Sequence, residues 1–479
     1  MTEPIDREGQ QHQGTGPKRE LFGSRAGFIL AAVGSAVGLG NMWRFPYVAS
    51  ESGGAAFVLL YIVLTLIIGI PLMLSEFAVG RSSRLSPIGA LRKHGGNGWS
   101  ILGILYVFTG FIILAYYSVI AGWVVRYALE GLYTGFPAAP GEHFGRVSTG
   151  WVPLAYHVGF MAITIGIVAA GVKRGIEKAA IFLMPTLFLI LIGLAIWSMT
   201  LPGAVEGYSF YLMPSFSELT DIRTISEAAG QAFFSLSLGM GCMLTFSSYL
   251  SDKENMGREA TVISFSDFSV AFVAGLVVFP VIFALGLQGD VSESAVGALF
   301  IALPGAFVEM GLMGRVVGIL FFIALVVGAV TSAVSLLEVV ASSIIDEFKL
   351  DRKKASVGAG IAIMILGVIP ATDLRVLAVW DKMSEGLLAM GAFFMAIFVG
   401  WVMKHPGAEM VKGAGEGFRK LVPPILQVVR FVLPPVIFVA SYFAFVAVKE
   451  TYDEEFTGGA EVAAEVVETV ADAEVGAVQ

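Results

Sequence analysis

Cysteine and charge are what this sequence has least of. One cysteine, Cys242, stands among 479 residues. A single thiol leaves no internal disulfide and no multi-thiolate metal site within one chain. Histidine is scarce as well, and His94 and His157 are not at metal-ligand spacing, so no transition-metal site is expected. Charged residues are 14% of the chain and hydrophobic ones 56%, whereas a soluble protein carries about 25% charged residues. So few polar groups cannot cover a water-facing surface, and the solvent implied is a lipid bilayer. A soluble enzyme, a nucleic-acid partner and a disordered scaffold are thereby excluded. A lipid-facing barrel is excluded too, because its strands alternate over about ten residues and the apolar stretches here are continuous. Asn97 to Val125 and Val316 to Leu337 contain no charge. The net charge of −8 says little about partners. Much of it comes from Glu450, Asp453, Glu454, Glu455, Glu461, Glu465, Glu468, Asp472 and Glu474, which follow Lys449 with no intervening base. That stretch reads as a solvated, disordered tail.

What is present is a series of long apolar runs. A membrane helix needs about 20 mostly apolar residues. The pattern predicts an all-α membrane protein with transmembrane helices at 26–49, 54–77, 99–129, 152–172, 178–201, 223–250, 260–287, 314–345, 355–370, 383–403 and 424–448, eleven in all. Lys18, Arg19 and Arg25 before a short apolar run and Gly34-Ser35-Ala36 resemble a signal peptide. A retained helix is the favoured reading, because the apolar pattern resumes at once. With the N-terminus inside, the inner loops hold Arg81, Arg84, Arg92 and Lys93, then Lys173, Arg174 and Lys178, then Lys349, Arg352, Lys353 and Lys354, then Lys404, Lys412, Arg419 and Lys420. The outer loops are poorer in bases, which makes the N-terminus cytoplasmic. An odd number of spans puts the acidic C-terminus outside.

Two spans carry glycine clusters near their middle. The first reads Gly34-Ser35-Ala36-Val37-Gly38-Leu39-Gly40-Asn41 and the sixth Ser235-Leu236-Ser237-Leu238-Gly239-Met240-Gly241. Each glycine weakens a helix by roughly 1 kcal/mol relative to alanine. Small residues also serve helix packing, but two clusters five helices apart, each beside polar residues, favour unwinding. They predict two inverted five-helix repeats with broken first and sixth helices, plus one extra helix, and a site at the bilayer midplane. The domain division expected is 1–25 as a cytoplasmic segment, 26–222 and 223–403 as the repeats, 404–448 as a loop and eleventh helix, and 449–479 as an acidic extracytoplasmic tail. Freed N–H groups suit a carboxylate and freed carbonyls a hard cation. The substrate implied has an anionic group and travels with a small cation. Asp267 is the one charge in the seventh span, and intramembrane acids default to function. Asn41, Ser235, Thr331 and Ser332 are further oxygen sources; the last two equally suit back-bonds to their own helix.

Gly38-Leu39-Gly40-Asn41-Met42-Trp43-Arg44-Phe45-Pro46 resembles the first-helix motif of the neurotransmitter:sodium symporters. Gly53-Gly54-Ala55-Ala56-Phe57, Gly69-Ile70-Pro71-Leu72 and Gly230-Gln231-Ala232-Phe233-Phe234-Ser235-Leu236-Ser237 follow in that family's order, and the likeness covers about residues 19 to 448. The broken-helix fold of this family is an established pattern. The resemblance implies one sodium site from the Ala36 carbonyl, Asn41, Ser235, Asp267 and the substrate carboxylate. It implies a second from the carbonyls of Gly34, Val37 and Gly328 with the hydroxyls of Thr331 and Ser332. The substrate carboxylate would meet N–H groups near Leu39 and Gly40 and the hydroxyl of Tyr117. The amine would meet carbonyls of Ser35, Ala36, Phe234 and Ser237. Ile113, Phe234, Met240, Ser332 and Leu336 would line the side-chain pocket.

The family's gates carry over as well. Outside, Arg44 would pair with an acid early in the tenth span. Ser384 stands at the family's acidic position, leaving Asp381 and Glu385 as alternatives, and Phe234 and Tyr117 would form a thin lid. Inside, Arg19 would pair with Asp346, with Phe22 and Tyr249 packed around them; Phe22 replaces the family's usual tryptophan. Asp267 can supply the negative charge that many eukaryotic members take from chloride, so chloride independence is expected, with proton countertransport as an extension. Gly175 and Pro185 resemble a bacterial pattern linked to local unwinding of the fifth helix.

A site of backbone donors, hydroxyls and apolar walls suits a zwitterion with an apolar side chain. Gly239-Met240-Gly241 leaves room for a bulky one, as in bacterial members that take hydrophobic and aromatic amino acids. The expectation is a sodium-coupled symporter in the plasma membrane of a prokaryote, not an enzyme, and a monomer or weak homodimer. The rivals are a sodium-independent exchanger of the same fold and a non-transporting amino-acid sensor.

Overall fold

Helices alone make up the regular structure. The computed structural model describes residues 20–214, 217–287 and 295–458. Among the described residues nine helices are long and apolar enough to cross a membrane, and one bent pair makes a tenth. The bent pair is α1 (Arg25–Ala36) and α2 (Gly40–Glu51), which meet at 51°. Then come α3 (Ala55–Ser83), α4 (Asn97–Tyr133), α5 (Val152–Ala169) and α6 (Val172–Ser198). The sixth span is two short helices, α7 (Ile222–Ser235) and α8 (Cys242–Ser247), separated by residues 236–241. After them run α9 (Met256–Ala284), α10 (Ala298–Glu309), α11 (Gly311–Phe348), α12 (Arg352–Thr372), α13 (Leu374–Val402) and α14 (Glu416–Thr457). The expected spans fall on these helices, with α3, α4, α11 and α14 running well beyond the length a bilayer needs.

The broken segments sit at the centre, packed between the long helices. Fully buried aromatic rings fill the space around them: Tyr61, Tyr106, Phe45, Phe57 and Phe77 have no exposed surface. α14 lies at the periphery, with only 11% of its apolar window buried inside the protein. Around Gly175 the chain does not unwind. It forms a wide π-helical turn, Val172–Glu177, that leads directly into the helix containing Pro185. Proline removes a donor, yet the helix Lys178–Ser198 continues through Pro185 without a break.

Each break follows from its residues. After α1, Val37 turns to an extended conformation (φ −78°, ψ 110°). In the second break, Ser237, Gly239 and Gly241 all have positive φ, at 53°, 79° and 78°. Glycine adopts that region freely; Ser237 does so at a cost. A side chain at Gly239 is also impossible sterically, since its Cβ would lie 2.1 Å from the Leu388 carbonyl oxygen. The backbone groups freed here need partners, because no bulk water reaches this depth. Glu76 of α3, with no exposed surface, accepts the Gly239 N–H at 2.8 Å and the Leu244 N–H at 3.1 Å. The Ser237 hydroxyl donates to the Ser35 carbonyl at 2.8 Å, tying one break to the other.

Glu76→Ala should therefore leave two buried donors bare, at about 1–3 kcal/mol each. Thermal unfolding in detergent should show a clearly lowered midpoint for Glu76→Ala and a smaller drop for Glu76→Gln, which keeps one acceptor. An unchanged midpoint for the alanine variant would remove Glu76 from this role.

Candidate functional site

The two breaks face a narrow cavity of about 30 Å³. All eleven residues expected at the substrate line it: Ser35, Ala36, Leu39, Gly40, Ile113, Tyr117, Phe234, Ser237, Met240, Ser332 and Leu336. Gly38, Asn41 and Ser235 complete the wall, and no lining residue carries a charge. Leu39 sits between α1 and α2, and its N–H donates weakly to the Tyr117 hydroxyl at 3.4 Å. The site needs glycine for close approach: a Cβ on Gly40 would lie 2.9 Å from the Phe234 ring.

A buried carboxylate stands beside this cavity. Asp267 of α9 has no exposed surface. Its Oδ1 accepts from Asn41 Nδ2 at 2.7 Å and from the Ser235 hydroxyl at 2.9 Å. Its Oδ2 accepts from the Tyr61 hydroxyl at 2.8 Å. Asn41 also donates to Ser235 Oγ at 2.9 Å, while its own Oδ1 takes the Gly38 N–H at 3.0 Å. Every one of these partners is neutral. A carboxylate at membrane depth costs roughly 2.5–3.5 kcal/mol on insertion scales, and neutral donors satisfy its lone pairs without cancelling its charge. The cluster gathers Asn41, Ser235 and Asp267 from α2, α7 and α9, and Ala36 lines the cavity beside it.

A second group of oxygens lies where α1 meets α11. The Thr331 hydroxyl donates to the carbonyls of Val327 and Gly328 at 3.2 and 3.0 Å. The Ser332 hydroxyl lies 3.5, 3.4 and 3.3 Å from the carbonyl oxygens of Gly34, Ser35 and Val37. Gly34, Val37, Gly328, Thr331 and Ser332 thus converge, with hydrogen bonds of 3.3–3.5 Å between the two helices, long for O–H···O.

Above the cavity opens a vestibule of about 560 Å³, and Leu39, Gly40, Tyr117 and Phe234 belong to the walls of both. Arg44 stands in the vestibule wall. Its Nη2 meets Glu385 Oε1 at 2.7 Å, and its guanidinium stands 5.1 Å over the Phe234 ring. Of the acids expected opposite Arg44, Glu385 forms the pair, while Asp381 lines the vestibule one turn away. Ser384 is occupied elsewhere, sharing a hydrogen bond with the Tyr116 hydroxyl at 2.9 Å.

At the opposite end, Phe22 packs edge-on against Phe28, Phe246 and Tyr249, with centroids 5.6–6.1 Å apart. Arg19 lies outside the described residues. Asp346 accepts the Ser86 N–H at 2.6 Å, which ties it to the start of the helix Pro87–Gly95. The Tyr249 hydroxyl donates to Glu338 at 2.5 Å. Arg352 binds both oxygens of Glu338, at 2.8 and 3.0 Å.

Comparison with known proteins fits this geometry. The model of the sodium:neurotransmitter symporter family matches residues 19–147 and 143–457. The chain belongs to that family. YhdH, an uncharacterized sodium-dependent transporter of Bacillus subtilis, is 35% identical over 433 residues, covering 86% of this chain and 95% of YhdH. An uncharacterized sodium-dependent transporter of Methanocaldococcus jannaschii is 38% identical over 407 residues, covering 80% and 82%. The crystal structure of MhsT in complex with L-phenylalanine matches with a TM-score of 0.80 at 37% identity, covering 90% of this chain and all of that one. Like the rest of its family, this symporter-family chain is a membrane transporter and not an enzyme.

Sequence reasoning missed Tyr61, Glu76, Gln231 and Glu338. Gln231 Nε2 donates to the Gly40 carbonyl at 3.2 Å while its Oε1 accepts from Arg44 at 3.4 Å, linking gate to break. Glu76 and Glu338 had a usable signal, since each is an acid inside an apolar span. Tyr61 had none beyond its residue type.

The gate geometry makes a prediction. In a Cys242→Ser background with a cysteine at Ile113, Glu385→Gln should speed labelling by a water-soluble thiol reagent roughly fivefold, for a pair worth about 1 kcal/mol. Asp381→Asn should change it little. Equal acceleration by both would make the two acids joint partners of Arg44.

Proposed function

We propose that the protein is a sodium-coupled symporter that imports hydrophobic or aromatic amino acids by alternating access, independently of chloride. One observation carries this reading: a buried carboxylate, Asp267, held only by neutral donors, beside a cavity with no charged wall. The carboxylate requires a cation, and the uncharged walls suit a zwitterion with an apolar side chain. MhsT, with its bound L-phenylalanine, supports an amino acid of that class here, and the family supports sodium as the coupling ion.

The site residues take the following roles in this proposal. One sodium binds the Ala36 carbonyl, Asn41, Ser235, Asp267 and the substrate carboxylate. The other binds the carbonyls of Gly34, Val37 and Gly328 with Thr331 and Ser332. The N–H groups near Leu39 and Gly40 and the Tyr117 hydroxyl hold the substrate carboxylate, using the positive end of α2. The carbonyls of Ser35, Ala36, Phe234 and Ser237 hold the amine. Ile113, Met240 and Leu336 surround the side chain. Asp267 replaces the anion that chloride would otherwise supply.

The vestibule faces outward, the N-terminus is cytoplasmic and the C-terminus external, in two inverted five-helix repeats followed by an eleventh helix. Arg44 and Glu385, with Phe234 and Tyr117 as lid, form the outer gate; Phe22, Tyr249 and Asp346 belong to the inner one. Sodium binding completes the substrate site and favours the outward-open state, and substrate then lets the lid close. Each ligand shifts the balance only by its difference in affinity between states. The membrane potential adds about 2.3 kcal/mol per charge per 100 mV.

Uptake of radiolabelled leucine, tyrosine and tryptophan into proteoliposomes tests this. Accumulation should occur under an inward sodium gradient, should fail with potassium or choline, and should be unaffected when gluconate replaces chloride. Equal exchange without sodium would establish an exchanger instead, and a requirement for chloride would remove the assigned role of Asp267.

A further inference from the structure

We propose that Arg430, with Trp401, forms a site for the phosphate of an anionic phospholipid, in the leaflet at the end of the molecule opposite the vestibule. The argument begins with two cation–π pairs on the adjacent helices α13 and α14. Near the vestibule, Arg375 of α13 stands 4.9 Å from the Phe456 ring of α14. At the other end, Arg430 of α14 stands 5.3 Å from the Trp401 ring of α13. The stretch Arg375–Trp401 and the stretch Arg430–Phe456 each rise about 39 Å at 1.5 Å per residue. That separation is the thickness of a hydrocarbon core plus most of its headgroup regions, about 40–45 Å in full. The two pairs therefore sit at the two headgroup levels, where arginine and tryptophan anchor membrane helices.

The pairs differ in one respect. Arg375 has its counter-ion in the protein, Asp373, at 2.8 Å. Among the described residues Arg430 has no ion pair, yet its guanidinium is held in place. Its Nε donates to the Gly400 carbonyl at 2.7 Å, the Trp401 indole N–H donates to the Arg430 carbonyl at 3.3 Å, and the ring lies against the guanidinium. Gly400 allows this contact, since its Cβ would lie 3.2 Å from Arg430 Cα. Both helices widen into a π-turn here, Phe398–Val402 and Val428–Val432, a feature common at functional sites. The two terminal nitrogens make no hydrogen bond to any described residue. Trp401 and Phe431 are 61% and 55% exposed on a helix pair at the protein's edge.

A pre-oriented fork with two unused nitrogens, at headgroup depth and without an acid, matches a phosphate diester. The charges nearby agree. Lys404 and His405 follow Trp401 on the chain. Glu409 is engaged by Arg81 at 2.7 Å and Lys412 at 2.5 Å. Glu416 lies about 21 Å along α14 from Arg430 at the helical rise. Basic groups in such a position attract anionic lipid.

The test is native mass spectrometry of the full chain in detergent, with dioleoylphosphatidylglycerol, dioleoylphosphatidylcholine or inorganic phosphate added. The wild type should retain phosphatidylglycerol over phosphatidylcholine, and Arg430→Gln should weaken that retention about fivefold or more. Arg430→Lys, which keeps the charge and loses the fork, should fall between them, and Arg375→Gln should match the wild type. Unfolding midpoints without added lipid show whether each variant is folded; if Arg430→Gln is not, Trp401→Leu tests the same site. Retention by folded Arg430→Gln equal to that of the wild type would overturn the proposal. So would equal retention of phosphatidylcholine, or displacement of phosphatidylglycerol by excess inorganic phosphate.

Discussion

A polypeptide that leaves the helical path inside a bilayer must find partners for every backbone group it frees. This chain does so twice, at 37–39 and at 236–241, and the rest of the structure is arranged around that need. Some freed groups are satisfied by protein: Glu76 takes the N–H groups of Gly239 and Leu244, and Asn41 takes that of Gly38. Ser237 joins the breaks through the Ser35 carbonyl. Others face the cavity, where in the proposed function they meet ions and a zwitterion.

The same constraint explains why side chains come from some helices and backbone groups from others. Long helices such as α4 and α11 supply side chains, Tyr117 from one and Thr331 and Ser332 from the other, from rigid positions. The broken pairs supply backbone. Contacts across that boundary are few and loose, at 3.3–3.5 Å for Ser332 and 3.4 Å for Tyr117. Bonds of that length exchange readily for bonds to a ligand. A ligand bridging both sets therefore adds attraction that the protein lacks without it, which is what coupling by differential affinity requires.

Much of this was legible in the residues. Continuous apolar runs marked the spans, because the bilayer imposes their length. Paired glycine clusters marked the breaks, because glycine weakens helices and Ser237, Gly239 and Gly241 need positive φ. The motif around Gly38 to Pro46 brought the cavity residues together before any coordinates did. What escaped is equally physical. Asp381 and Glu385 are one turn apart on the same face of α13, so periodicity could not choose between them; the reach of Arg44 decides. Glu76 stands one residue from the end of the expected span 54–77, and its partners Gly239 and Leu244 lie more than 160 positions away in sequence. Tyr249 packs on Phe22 as expected, and its hydroxyl donates to Glu338, an acceptor about two turns before Asp346 on the same helix that Arg352 also binds. Tyr61 touches Asp267 across 206 positions of sequence, and nothing local announces such a contact.

Direct measurement of sodium binding reaches the centre of the account. Radioactive sodium bound to the purified protein, titrated with and without leucine, should show weaker binding in both Asp267→Asn and Ser332→Ala. Leucine should also enhance sodium binding less in Asp267→Asn than in the wild type, because the substrate carboxylate and Asp267 share one ion. Sodium affinity unchanged in both variants would contradict the two-site arrangement built on the broken helices.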